Sequence, residues 1–309
     1  MKTRKKILLA AIGVLALAFA LQTALGRRNA VQTLSLADDP DRIEIARAGG
    51  EVTTLAKVGD RWLIGDEKLP ADPQAVAEMI TVLKEIKTLG SVSASGDWAR
   101  YGLDDATAVI VKASRDGSAM RTVAAGKNSS TTQQSYVRID GGKDVLLASS
   151  RFRDRFDRSA ESLRDRTVWK VPSGGMTRIQ SDFAAIGDID GSGKRRTAFA
   201  VAKAGTPATW QGAPLAGKNA SPVDADKTAS WAESLAELRA DSFAPDGTAI
   251  PESPLGKIAI LAAGKTVTLT VARKEGETKY LCSSSESPYP FYLQKATVIK
   301  FARGLEDLR

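Results

Sequence analysis

The sequence predicts an α+β protein: two tandem, similar domains, each an antiparallel sheet with helices on one face, behind an N-terminal transmembrane helix. Three observations carry that prediction. Short runs of alternating polar and apolar residues are bounded by glycine turns, the pattern of antiparallel strands. One run is followed by an aspartate-capped amphipathic helix. The same order of elements then begins again about 150 residues later.

The N-terminus comes first. Residues 1–6, "MKTRKK", hold four cations, and Ile7 to Gly26 form a run of 20 residues without a charge. As a helix such a run rises about 30 Å, enough to cross a bilayer core. A cleaved signal peptide has a shorter apolar core and a small-x-small site, which Ala18-Phe19-Ala20 would satisfy. The continuation of the run to Gly26, with Arg27 and Arg28 after it, favours an uncleaved anchor. Four positives before the span against two after it place residues 1–6 in the cytoplasm and the body outside it. No cysteine follows the run, so it does not read as a lipoprotein signal.

The body divides on sequence grounds into 27–170 and 171–309. In the first part, "RIEIARA" (42–48) and "EVTTLAKV" (51–58) alternate around Gly49-Gly50, a hairpin. Gly59-Asp60 turns the chain into "RWLIG". Asp72 stands as a helix N-cap with Pro73 at the first helical position. Val76, Met79, Ile80, Leu83 and Ile86 follow at helical steps, predicting a helix that ends near Gly90. Tyr101-Gly102-Leu103 reads as a helical turn stopped by Gly102. Runs at 107–113, 119–125, 134–140 and 144–149 predict a four-stranded meander. A charged helical stretch, 150–165, closes the unit, and "VPSGG" (171–175) reads as the linker.

The second part repeats this order. "MTRIQSD" and "RTAFAVAKA" predict strands joined across "DIDGSG", and "ATWQG" carries Trp210. "PVDADKTASWAESLAELRADSF" predicts a capped helix with Trp231, Leu235 and Leu238 on one face. Three strands between 256 and 284, "PFYLQ", and a closing helix over 295–308 complete it. Trp62 aligns with Trp210, Asp72 with Asp224, Met79 with Trp231, Leu83 with Leu235, Ile86 with Leu238, Val109 with Ile258, Tyr136 with Tyr280 and Leu147 with Leu293.

Composition narrows the chemistry. The chain has no histidine and one cysteine, Cys282, so Ser-His-Asp and Cys-His triads and an intrachain disulfide are excluded. The flanking "YLCSSS" alternates like a strand, so the thiol is expected to be buried. The net charge of +8 is concentrated in residues 1–28, leaving 38 basic and 36 acidic side chains elsewhere. A near-neutral body argues against nucleic-acid binding. The most basic stretch, 151–170, mixes seven cations with four anions and reads as a surface laced with ion pairs.

Local motifs fall to structural readings. Asp188, Asp190, Ser192 and Gly193 mimic the start of an EF-hand loop, but Phe199 stands where the bidentate glutamate belongs, so a hairpin turn is expected. "AAGKNSST" (124–131) and "LAGKNASP" (215–222) lack the spacing of a phosphate loop and read as polar turns. Asp72 and Asp224 are caps rather than a functional carboxylate pair, and Trp62 and Trp210 face the core.

The strand carrying Trp62, the "AD" that opens a helix, "YGL", "SYVRIDGGKDVLLAS" and "LRDRTVW" together resemble the bacterial domain-of-unknown-function family numbered 4340. The resemblance is closest from about Arg42 to Lys170 and looser beyond, where "SPLG" (253–256) stands in place of "YGL". It implies a membrane-anchored α+β body exported to the cell envelope, associated with ABC-transporter components and their auxiliary subunits. It brings no catalytic, cofactor-binding or metal-ligating residue, and none is named. The expectation is a non-enzymatic, single-pass inner-membrane protein with a periplasmic body. It would act as an accessory or scaffold for an ABC-transporter permease or auxiliary subunit. The alternative is an exported ligand-binding module or hydrolase acting on an envelope glycan or peptide.

Overall fold

The structure, a computed structural model, describes residues 12–19, 31–130, 133–183, 187, 189, 197–216 and 220–309. The chain is an α+β protein dominated by antiparallel strands, and it divides into two compact units, Met1–Asp165 and Arg166–Arg309. Residues 12–19 are helical and exposed. The rest of the expected span, 7–11 and 20–26, lies outside the described residues, among which no helix is long and apolar enough to cross a membrane.

The first unit is one ten-stranded sheet in the order β1-β6-β10-β9-β8-β7-β2-β3-β4-β5. The predicted hairpin is β2 (Arg42–Ala46) and β3 (Val52–Val58), and β4 (Arg61–Ile64) follows the Gly59 turn. The meander is β7 (Val109–Arg115), β8 (Ser118–Asn128), β9 (Ser135–Ile139) and β10 (Val145–Ala148). Two edge strands went unforeseen: β1 (Gln32–Ser35) and β5 (Leu69–Pro70). Helix α1 (Pro73–Lys84) buries Ala75, Val76, Met79 and Leu83 against the alternate residues Ile43, Ile45, Leu55, Val111 and Val123 of the sheet. At about 25 cal/mol per Å² of apolar area removed from water, this layer is the unit's main source of stability.

Three details differ from the sequence reading. Helix α1 stops at Lys84, six residues short of Gly90, because Glu85–Ser93 is β6. Ile86 is buried from that strand, paired opposite Leu34 of β1. The stretch 150–165 is two short helices, α3 (Phe152–Phe156) and α4 (Ala160–Leu163), whose Phe152, Phe156 and Leu163 join the same core. Helix α2 (Trp98–Tyr101), ended by Gly102 at φ 66°, does not share that face. Its Trp98 and Tyr101 pack with Leu103, Ala108, Ala124, Val145 and Tyr136 on the opposite side of the sheet.

The second unit begins at Arg166, ahead of the predicted boundary at 170/171. The reason is β11 (Thr167–Lys170), which pairs with β16 (Glu237–Arg239). The main sheet has nine strands in the order β15-β14-β13-β12-β18-β19-β20-β21-β17. It comprises β12 (Met176–Asp182), β13 (Phe199–Ala204), β14 (Thr209–Pro214), β15 (Ser221–Pro222), β17 (Ser242–Phe243), β18 (Gly256–Ala262), β19 (Lys265–Glu275), β20 (Lys279–Ser284) and β21 (Ser287–Gln294). Helix α5 (Ala225–Ser234) packs Trp231 and Ala232 on this sheet. Leu238, expected on that helix, is buried from strand β16 instead. The closing segment is α6 (Lys295–Phe301) followed by a 3₁₀ turn, Leu305–Leu308, rather than one continuous helix.

The aligned tyrosines occupy different faces. Tyr136 pairs with Leu147, and Tyr280 pairs with Leu293, each across neighbouring strands. Yet Tyr280 and Leu293 belong to the main core, whereas Tyr136 packs on the side of α2. A one-residue slip in alignment reverses the face of a strand residue.

Candidate functional site

A cleft-bearing surface of the first unit lies where β1 meets the C-terminal end of α1. Strand β1 follows Val31 and pairs antiparallel with β6, Gln32 opposite Thr88 and Leu34 opposite Ile86. Leu36 continues the ladder, donating its N–H to the carbonyl of Lys84 at 2.8 Å. Beneath it lies Arg121, 6% exposed, on the helix-facing side of β8. Its Nη1 donates to the carbonyls of Leu83 (2.7 Å) and Leu34 (3.0 Å). Helix α1 leaves its last carbonyls unpaired, and a cation there suits both those acceptors and the helix dipole. Burial pushes the Arg121 guanidinium down, and Asp140, 4.0 Å away, opposes that shift.

Two clefts flank this joint. One, of about 480 Å³, is lined by Ser35, Leu36, Ala77, Ile80, Thr81 and Lys84 with Asp39 and Glu85 at its rim. The other, of about 440 Å³, contains Asp38, Asp39, Asp41 and Asp116 with Lys57, Lys84 and Arg115. Lys84 Nζ bridges the two clefts with an ion pair to Asp39 Oδ1 at 2.6 Å. That hydrogen bond holds the Asp39 carboxyl below the usual 3.8. Arg115 pairs with Asp38 at 3.2 Å, and Asp41 accepts from the Asp116 N–H at 2.9 Å. Both clefts are open, and between them five carboxylates face three cations.

In the second unit a polar cleft of about 540 Å³ contains Arg166, Arg239 and Lys300 with Glu237 and Asp241. Arg166 Nη1 donates to the Asp241 carbonyl at 2.7 Å, and Arg239 Nη1 to Thr167 Oγ1 at 3.0 Å. These contacts join β11 to the chain after β16.

The residues singled out in the sequence have structural partners. Asp72 Oδ1 accepts from the N–H of Gln74 (2.9 Å) and Ala75 (3.2 Å), and Asp224 Oδ1 from Lys227 N–H (2.9 Å). Trp62 packs half-buried on the main core, and Trp210 is buried in its own. Cys282 is fully buried, and burial, helped by Asp241, pushes its thiol up, away from the reactive thiolate. Within 151–166, Arg151 pairs with Asp154, Arg153 with Asp157, Arg155 with Glu78 and Arg164 with Glu161. The first Gly-Lys pair, Gly126-Lys127, lies in strand β8 rather than a turn, and Asp188, Asp190, Ser192 and Gly193 of "DIDGSG", with 217–219, lie outside the described residues. Among the described residues no group of three or more Asp, Glu or Cys is placed to hold a metal ion.

A family model described as "Domain of unknown function (DUF4340)" matches residues 62–257, more than half of the chain. The chain belongs to the DUF4340 family. The DUF4340 match starts at Trp62 in β4 and runs through the unit boundary to Lys257 at the start of β18. It therefore begins later and reaches further than the stretch from Arg42 to Lys170 that carries the resemblance in the sequence. Its span includes Asp72, Arg121 and helix α1 but not strand β1. No curated protein and no solved structure matches this DUF4340 chain.

Sequence reasoning missed Arg121 and the Lys84–Asp39 pair. Arg121 sits in "AMRTVAA", where a lone cation in an alternating run reads as solvent-facing. The usable signal was its parity: Arg121, Val123 and Ala125 share one side of β8, and that side is the core.

Proposed function

We propose that this chain is a non-enzymatic accessory or scaffold protein, anchored in the inner membrane by residues 7–26 with its body in the periplasm. Its partner would be an ABC-transporter permease or an auxiliary subunit of one. The uncharged run of 20 residues with four cations before it supports the anchor and its direction. The observation that carries the non-enzymatic reading is that the side chains with most capacity for chemistry serve the fold. Asp72 and Asp224 cap helices, Arg121 closes a helix end, and the Cys282 thiol is buried. The open, charged clefts at the surface suit recognition. A tether confines the body to a membrane surface and so raises its effective concentration near a membrane partner.

The two units are read as copies of one ancestral domain. Taken from its far end, the second sheet runs β17-β21-β20-β19-β18-β12-β13-β14-β15, and the first runs β6-β10-β9-β8-β7-β2-β3-β4-β5 after β1. Counterparts follow in the same chain order, with β6 matched by β16 and β17 together: β16 lies beside β11 as β6 lies beside β1, and β17 lies beside β21 as β6 lies beside β10. Lys57 lies opposite Trp62, and Lys203 opposite Trp210.

Affinity purification of the full chain from solubilised membranes tests the function. Recovery of transporter subunits in constant ratio is expected. Recovery of the chain alone, together with turnover of an envelope glycan or peptide, would overturn it. The N-terminal residue of the mature protein tests the anchor: Met1 is expected, and Leu21 would mean a cleaved, untethered product.

A further inference from the structure

We propose that the free edge of β1 and the cleft beside α1 form one binding groove for an extended peptide of a partner protein. That peptide would add as an antiparallel strand and carry an aliphatic side chain flanked by basic residues. The proposal rests on the scaffold reading and names the surface through which it acts.

The sheet edge comes first. Leu36 N–H bonds to Lys84, and pairing alternates along an antiparallel ladder, so Leu34 and Gln32 are also turned toward β6. Thr33 and Ser35 therefore turn their N–H and C=O groups away from β6, where no described strand lies. A row of outward donors and acceptors is a template for strand addition. The other ends of the two large sheets are poor templates: β5, β15 and β17 span two residues each, and β5 and β15 end in Pro70 and Pro222.

The cleft supplies a side-chain pocket in register with that edge. Leu34 and Ile86 are a pair on the helix-facing side of the sheet, so Leu36 faces α1 as well. Leu36, Ala77 and Ile80 form the apolar floor of the 480 Å³ cleft. On an added antiparallel strand, the residue opposite Leu36 points to the same side and enters this floor, while the residue after it lies opposite Ser35 and exchanges backbone bonds with it. Charge selects the flanks: the two clefts hold Asp38, Asp39, Asp41, Glu85 and Asp116 against Lys57, Lys84 and Arg115. A second copy of this chain does not fit as occupant, because the apolar side chain of its own β1, Leu34, is packed in its own core.

The test uses the full chain in detergent micelles and the peptide acetyl-Thr-Lys-Thr-Ile-Thr-Lys-Thr-amide. Saturable binding is expected, with slower amide exchange at Thr33 and Ser35. N-methylation of the isoleucine, whose N–H points away from β1, should leave affinity within about threefold. N-methylation of the threonine that follows it, opposite Ser35, should weaken it at least tenfold, and this contrast does not depend on any protein variant folding. Ile80→Asp and Ser35→Pro should each weaken binding at least tenfold; the second removes an outward donor and no bond to β6. Equal binding by all methylated peptides, or no saturable binding, would overturn the groove. A dimer dissociated by the peptide would overturn the choice of partner in favour of a second copy. Undiminished co-purification of transporter subunits with Ser35→Pro would overturn the groove as the docking surface while leaving the scaffold reading standing. Peptide binding without any such subunits would support the groove and count against that reading alone.

Discussion

The backbone N–H of Asp72 donates to the carbonyl of Leu163 at 2.8 Å, which ties the start of α1 to the end of its own unit. The second unit makes the same closure, Asp224 N–H to Leu308 carbonyl, also at 2.8 Å. In both, one aspartate joins two elements through its amide and caps a helix through its carboxylate.

The cap and the closure are separable by mutation. Asp72→Ala removes the carboxylate and keeps the amide, so it should cost about 1 kcal/mol, with Asp72→Ser close to wild type. Asp224→Ala should behave alike. Urea midpoints at unchanged slope measure both.

Arg121→Met keeps the aliphatic stem and removes the donors to Leu83 and Leu34. Charge-assisted bonds to partly buried carbonyls predict a loss of about 1.5–3 kcal/mol. Because one of those carbonyls belongs to β1, amide exchange at Leu36 should accelerate more than at Val111.

Tyr280 is 1% exposed, and its hydroxyl has no hydrogen-bond partner among the described residues. Burial pushes the phenol up. Tyr280→Phe removes an unsatisfied polar atom without opening a cavity, so the melting temperature should hold or rise, by up to about 1 kcal/mol in stability. A clear loss would mean that the hydroxyl has a partner.

Asp39 titrates below the usual 3.8 because Lys84 bonds its charged form. A lowered carboxyl stabilises the fold above its unfolded value and loses that contribution as pH falls through the folded one. Wild type should therefore exceed Asp39→Asn in stability at pH 5–7, and the gap should close below pH 3.8. The pair is exposed, so the gap should be small and should shrink in high salt.

Gly126 marks a close approach: a Cβ there would lie 2.3 Å from the carbonyl oxygen of Tyr101. Backbone cannot yield as a side chain does, so Gly126→Ala should cost about 1–3 kcal/mol. The displaced segment carries Trp98, whose ring lies 3.6 Å from the Arg138 guanidinium carbon, so its fluorescence should change.

Strands with their own turns were the most legible part of the fold. The β2–β3 hairpin and the meander β7–β10 are local, and glycines mark their ends. Helix ends were read too far, because Ile86 and Leu238 fit a helical period and a strand period equally well. Only the pairing of β6 with β1 and of β16 with β11 decides between them. Those first strands, Gln32–Ser35 and Thr167–Lys170, are short and find their partners far along the chain, so no local pattern announces them. The groove was hidden for the same reason: Leu36, Ala77 and Ile80 meet only after β1 has paired.

That distant pairing has a consequence for biogenesis. The contact of Thr88 with Gln32 spans 56 residues, and that of Arg239 with Thr167 spans 72. Synthesis runs from the N-terminus, so the first strand of each unit emerges unpaired while hairpins behind it are already complete. In each unit the oldest strand waits longest for its first neighbour, and during that interval its own open edge, that of β1 or β11, is the place where a wrong strand, from this chain or another, can pair.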